Sequence, residues 1–171
     1  TGAGYFLFGF SLIVLTVILR VLLRLDLKEG EYPIASLGML KWYLSNALQF
    51  LVWTTFGNFL LLTPFASLFF RLMGARVGLN VQINSGSCAD LSLLDIGDDA
   101  VIGGHATVIA HSFERRGLIL KRVKIGRGAI IGLNAIVMPG TEVGDQAVVV
   151  PGAFVPKETK IEPKEIYIGR R

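Results

Sequence analysis

Two histidines, His105 and His111, are the only side chains of this 171-residue sequence that ordinarily titrate near neutral pH. A histidine can take the proton from a hydroxyl or amine as that group attacks a carbonyl, and a neighbouring carboxylate can fix its tautomer. His111 lies in the stretch AHSFERRGL, at the edge of a charged interruption, and Asp90 and Asn134 are its candidate partners. Asp90 could equally cap a backbone corner through its own hydrogen bonds. Glu114 reads as a bond within the interruption or as a contact to an acceptor. Arg115, Arg116, Lys121, Arg122, Lys124 and Arg127 form a basic cluster suited to phosphates, lipid headgroups or plain solvation. The single cysteine, Cys88, excludes an internal disulfide and a cysteine-based zinc site, and it reads as a small apolar filler.

The element that must position these groups is a repeat of six. From Val77 the chain divides as VGLNVQ, INSGSC, a longer ADLSLLD, IGDDAV, IGGHAT and VIAHSF. After an insertion at 114–118 it resumes as ILKRVK, IGRGAI, IGLNAI, VMPGTE, VGDQAV, VVPGAF, VPKETK and IEPKEI. The first position is aliphatic, the fifth is small, and the second is often Gly. An aliphatic residue fills the axis of a narrow prism, a small one sits where walls converge, and Gly permits a tight corner. Neither a helix nor an alternating strand hairpin has this period. The glycines of Gly126-Arg-Gly128 and Gly132 fall in the repeat columns, so they are not read as a phosphate loop. The expected fold is mainly β, a parallel β-helix over 77–171; the pattern resembles the hexapeptide-repeat acyltransferases, which implies three coils per turn. Counting by threes puts the coils starting at 89, 108, 131 and 149 on one wall. Position four then stacks His111, Asn134 and Gly152 on rungs about 4.8 Å apart, with Asp90 below His111. His105 falls on another wall.

Residues 1–76 differ in kind, being rich in Leu and Phe. The stretch Thr1–Leu19 is uncharged and is followed by Arg20, Arg24 and Lys28, which reads as a membrane helix with a cytoplasmic end. A cleaved signal peptide would carry its charges ahead of the apolar run. The second uncharged run, Trp42–Phe70, is too long for one simple span. It is read as a helix over 40–62 and a short amphipathic helix over 64–73, starting at Thr63-Pro64. Trp42, Tyr43 and Trp53 suit interfacial positions. A single second crossing would place the β-helix outside, against the positive charge of Arg71, Arg76 and the C-terminal half. An interfacial second segment, or a further helix, restores the β-helix to the cytoplasmic side of the cell membrane. An apolar content of 52% and a mean hydropathy of +0.58 agree with membrane lipids as partners. The net charge is +4, but the basic stretches lack interleaved aromatics, which argues against nucleic acid.

The repeat over 77–168 resembles the hexapeptide-repeat acyltransferases, most sharply in IGLNAIVMPGTEVGDQAVVVPGAFVPKE. The lead-in FRLMGARVG is more similar to membrane-attached hexapeptide domains, including those ending some poly-amino-acid synthetases. The resemblance implies a left-handed parallel β-helix, a homotrimer, and acetyl-CoA or another acyl-CoA as co-substrate between adjacent prisms, with no bound cofactor or metal. It implies transfer of a short acyl group to a hydroxyl or amine, with His111 as base because the family's histidine lies just before the protruding loop. Ser112 follows where the sugar enzymes usually have Pro, which leaves the acceptor class open. Asn134 or backbone N–H groups would stabilise the oxyanion, and Gly132, Ala135, Gly152, Lys157 and Arg127 would line the acyl-CoA groove. A γ-type carbonic anhydrase shares the fold but needs three histidine ligands, and only two histidines exist here. A non-catalytic trimeric scaffold on a membrane anchor is the alternative.

Overall fold

The computed structural model describes residues 2–169. Three helices lead: α1 (Gly2–Leu22), α2 (Leu37–Thr55) and α3 (Pro64–Leu72), with a short strand Gly30–Tyr32 between the first two. Ser36 starts α2 by accepting from Met39 N at 3.2 Å, and Thr63 starts α3 by accepting from Phe65 N at 3.2 Å ahead of Pro64. The helix expected over 40–62 is therefore shorter at its C-terminal end. It stops at Thr55, and a single 3-10 turn, Gly57–Phe59, follows. The start expected at Thr63-Pro64 is where α3 begins.

From Arg76 onward the chain is a parallel β-helix of three walls. The first wall stacks Arg76–Val77, Leu94–Ile96, Val123–Ile125, Glu142–Val143 and Lys160–Ile161. The second stacks Gln82–Ile83, Val101–Ile102, Ile130–Ile131, Val148–Val149 and Ile166–Tyr167. The third stacks Thr107–Val108, Ile136–Val137 and Phe154–Val155, with Cys88 bridged to Val108 below them. In the aliphatic column Ile102, Ile131, Val149 and Val155 are wholly buried, and so are the small residues Ala100, Ala106, Ala129, Ala135 and Ala147. Each column is thus dictated by the space at the prism axis.

The wall assignment corrects the simple count by threes. Residues 109–122 do not supply a further wall: His111–Glu114 and Gly117–Leu120 form an antiparallel hairpin, with Ser112 opposite Ile119. The strand Gly30–Tyr32 adds to this hairpin, Glu31 pairing with Ile119. After Val108 the prism resumes on the first wall at Val123–Ile125, so Val108 stacks with Val137 and Val155 rather than with Ile131 and Val149. The segment ILKRVK imitates a coil because hairpin strands also alternate aliphatic residues.

The helices close the lower end of the prism. Ser67 Oγ donates to Val81 O at 3.1 Å, Arg71 Nε to Val77 O at 3.0 Å, and Gln49 Nε2 to Cys88 O. Trp42, read as interfacial, is instead buried, and the core runs unbroken from Ile13 and Trp42 to Ile161. The reason is chemical: α2 places Trp42, Ser45, Gln49 and Val52 on one face, and that face lies against the coil.

Gly132 exemplifies the tight second position. A methyl group there would stand 2.5 Å from Pro151 N and 2.7 Å from Val149 O, both backbone atoms of the next rung. Gly132→Ala is expected to lose about 1–3 kcal/mol of stability, as overpacked cores do, measured as a lower thermal midpoint by circular dichroism.

Candidate active site

The corner after the third wall brings His111 and Asp90 together. Val108 ends its strand, the chain turns through Ile109 and Ala110, and His111 opens the hairpin. One rung below, Ala89 N donates to Val108 O at 3.0 Å, and Asp90 takes a left-handed conformation with φ of 57°. Asp tolerates that region because its short polar side chain can bond locally. His111 Nδ1 lies 2.6 Å from Asp90 Oδ2.

The carboxylate is enclosed completely. Ala110 N donates to Oδ2 at 3.1 Å, while Trp42 Nε1 and Asn46 Nδ2 donate to Oδ1 at 2.7 and 3.0 Å. The Asp90 side chain is 0% exposed, whereas that of His111 is 22% exposed. A carboxylate is an acceptor only, so this pairing assigns the proton to Nδ1 and leaves Nε2 as the lone-pair nitrogen. The His111 ring stands edge-on to Trp42, centroids 4.9 Å apart, and 6.2 Å from Phe113. The arrangement can hold a neutral imidazole in one tautomer beside an aromatic shelf, which suits proton removal from an acceptor.

The other residues picked out by the repeat are not gathered here. Asn134 sits at the corner after the second wall, above His105, with Asn134 N donating to Gly104 O at 3.0 Å. Gly152 follows on the next rung of that corner, its N donating to Leu133 O at 2.8 Å. The strip expected to join His111, Asn134 and Gly152 is therefore divided by the third wall, as a consequence of the miscounted hairpin. Ala135 is buried in the core and Gly132 packs under Pro151, so neither presents a surface to a ligand. Arg127 is exposed at the corner after the first wall, 3.6 Å from Asp145. Lys157 shares the corner of His111 and reaches the hairpin, its Nζ 3.0 Å from Glu114 Oε1. Glu114 thus bonds between the hairpin and the prism.

Neither Trp42, expected at a membrane interface, nor Asn46 is expected at the site from the sequence. Their signal was faint: Trp42, Asn46, Gln49 and Trp53 follow a helical period within an otherwise apolar run, and polar side chains recurring on one helix face mark a buried contact. A cleft of about 940 Å³ opens between residues 31–33 and the hairpin residues 113–119, adjoining Phe113. The larger groove, about 1020 Å³, crosses the first wall past Arg76, Asp95 and Lys124, away from His111. Among the described residues no cluster of His, Cys, Asp and Glu could hold a metal ion.

Comparison with known proteins gives a consistent set. The family described as "Hexapeptide repeat of succinyl-transferase" matches residues 122–156. A delta-poly-L-ornithine synthetase of Acinetobacter baumannii (strain AB307-0294) is 25% identical over 114 residues, covering 67% of this chain and 9% of the synthetase. The chain thus spans less than a tenth of that enzyme's length. YvoF of Bacillus subtilis (strain 168), named a candidate acetyltransferase, is 25% identical over 154 residues, covering 83% of this chain and 86% of YvoF. Among solved structures, a maltose O-acetyltransferase from Clostridium difficile 630 has the same fold, with a TM-score of 0.55 at 20% identity over 81% of this chain and 87% of that one.

Trp42→Phe keeps an aromatic ring, smaller than the indole, and deletes one donor to the enclosed carboxylate. Leaving a buried acceptor short of a partner is expected to cost about 1–3 kcal/mol, read as a lower urea midpoint at unchanged slope.

Proposed function

We propose that this chain, a member of the hexapeptide-repeat acyltransferases, moves a short acyl group from acyl-CoA to a hydroxyl or amine with His111 as general base. The observation that carries the reading is the 2.6 Å contact of His111 Nδ1 with the fully buried Asp90 carboxylate. Asp90 and its donors hold the ring, and Nε2 takes the acceptor proton as oxygen or nitrogen attacks the thioester carbonyl. The tetrahedral intermediate then collapses, the carbon–sulfur bond breaks, and the proton passes from Nε2 to the departing CoA sulfur. Acetyl-CoA is the simplest donor that fits.

The acyl-CoA groove is assigned to the surface between prisms of a homotrimer. Lys157 lies on the His111 side and can meet a CoA phosphate if its bond to Glu114 opens. Gly152, Arg127 and Asn134 stand at the other two corners. They contribute only where a neighbouring subunit supplies them, and the same holds for Asn134 as an oxyanion donor. An outward apolar column supports the trimer: Ile130, Leu133, Ile136 and Phe154 are exposed on the second and third walls. The apolar helix α1 and the exposed Arg24, Lys28, Arg71 and Arg76 support attachment to the cell membrane with the β-helix in the cytoplasm.

Two measurements test this reading. Calorimetry of the detergent-solubilised protein is expected to show binding of CoA and acetyl-CoA, retained in His111→Ala. Once an acceptor is found, the variant should turn over about 10²–10⁴-fold more slowly. Absence of binding to both ligands would overturn the enzyme reading in favour of a scaffold. Separately, Phe154→Asp places a charge in the apolar column and is expected to yield monomers in sedimentation velocity; an unchanged mass would remove that face from the trimer.

A further inference from the structure

The direction of α1 relative to the prism bears on how the protein meets a bilayer. At its N-terminal end Tyr5 Oη donates to Thr55 O, and Gly9 faces the ring of Phe56. Midway, the rings of Phe10 and Phe65 lie 5.6 Å apart. At its C-terminal end Arg20 Nη1 donates to Leu72 O at 3.0 Å. Over its whole length α1 therefore lies along the end of α2 and along α3.

Those two helices are themselves fastened to the lowest coil. Trp42 and Asn46 bond Asp90, Gln49 bonds Cys88 O, Ser67 bonds Val81 O and Arg71 bonds Val77 O. The molecule is layered: prism, then α2 with α3, then α1 outermost. A 21-residue helix is about 31 Å long, enough to cross a hydrocarbon core set at right angles to it. In that pose the exposed Asn80, Gln82 and Asp99 of the first coils would be carried to the depth of the acyl chains. Burying such groups without partners costs several kcal/mol each. Turned through a right angle, the same layer offers the bilayer one apolar face. Only 17% of the apolar stretch of α1 is buried, and Phe59 and Phe65 extend its face through ring contacts with Phe6 and Phe10. Exposed Arg24, Lys28 and Lys41 flank it with positive charge suited to anionic headgroups.

We propose that α1 is an in-plane anchor: it lies within one leaflet as the outer face of a helical sole and does not cross the membrane. The proposal rests on the membrane attachment inferred above but not on acyl transfer. In this pose the chain stays on one side of the membrane throughout.

The test is sidedness labelling of the full chain made in bacterial cells. One variant carries a polar, cysteine-bearing tail ahead of Thr1, and another is Lys28→Cys. Each is treated with a membrane-impermeant maleimide in right-side-out and in inside-out membrane vesicles. Cys88 gives no background in the folded protein, since burial pushes its thiol up to about 12. The expected result is that both cysteines label in the same vesicle orientation. Labelling in opposite orientations would show that α1 crosses and overturn the proposal. Recovery of the chain in the soluble fraction would overturn the membrane attachment itself, and neither outcome touches the reading of His111.

Discussion

The side chain on which the structure turns is the Asp90 carboxylate. It accepts from the backbone of the prism at Ala110, from the hairpin at His111 and from α2 at Trp42 and Asn46, with no exposure to water. A buried carboxylate is costly unless every lone pair is used, so these partners are held to one another by the penalty of parting. Position of His111, closure of the prism and seating of the helical layer therefore answer to one group. A sequence change in α2 can reach His111 without touching it.

The prism supplies the fixed frame against which that carboxylate works. Its rungs are backbone ladders between identical columns, and the buried aliphatic and small residues leave little room for adjustment, as the spacing around Gly132 illustrates. The corners behave differently. Positions such as Asn80, Asp99, His105, Asn134 and Gln146 all take the left-handed conformation, so side chains at a corner are set by the turn as well as by any ligand. Among the described residues no carboxylate bonds His105, whereas Asp90 bonds His111. That makes the difference between two histidines that look alike in the repeat.

How much of this was legible in the sequence depended on the range of the interaction. The six-residue columns are strictly local, and they carried the fold and nearly all of its inward residues. The proximity of Asp90 and His111 was also legible, because one turn of the helix separates them. The link from His111 to Asn134 was not, since a hairpin at 111–120 keeps an aliphatic alternation and so passes for a coil. That substitution shifted every later wall by one place. Trp42 reads as a membrane-interface residue, and Asn46 carries no signal of its own, because an apolar helix alone does not say which of its faces meets protein. Only the docked coil, forty-odd residues later, reveals it.

The strand Gly30–Tyr32 pairs with Leu118–Leu120, and α2 bonds residues near 90, so the first third of the chain completes its contacts only with segments made much later. Synthesis runs from the N-terminus, and contacts distant in sequence must wait. For an interval the emerging chain therefore presents Leu- and Phe-rich helices, packed on one another but without the coil that covers their inner face. Delivery to a lipid surface during translation would supply that cover before the prism exists. Under the proposed membrane attachment, the order in which the ribosome releases these segments puts attachment first and the finished prism last.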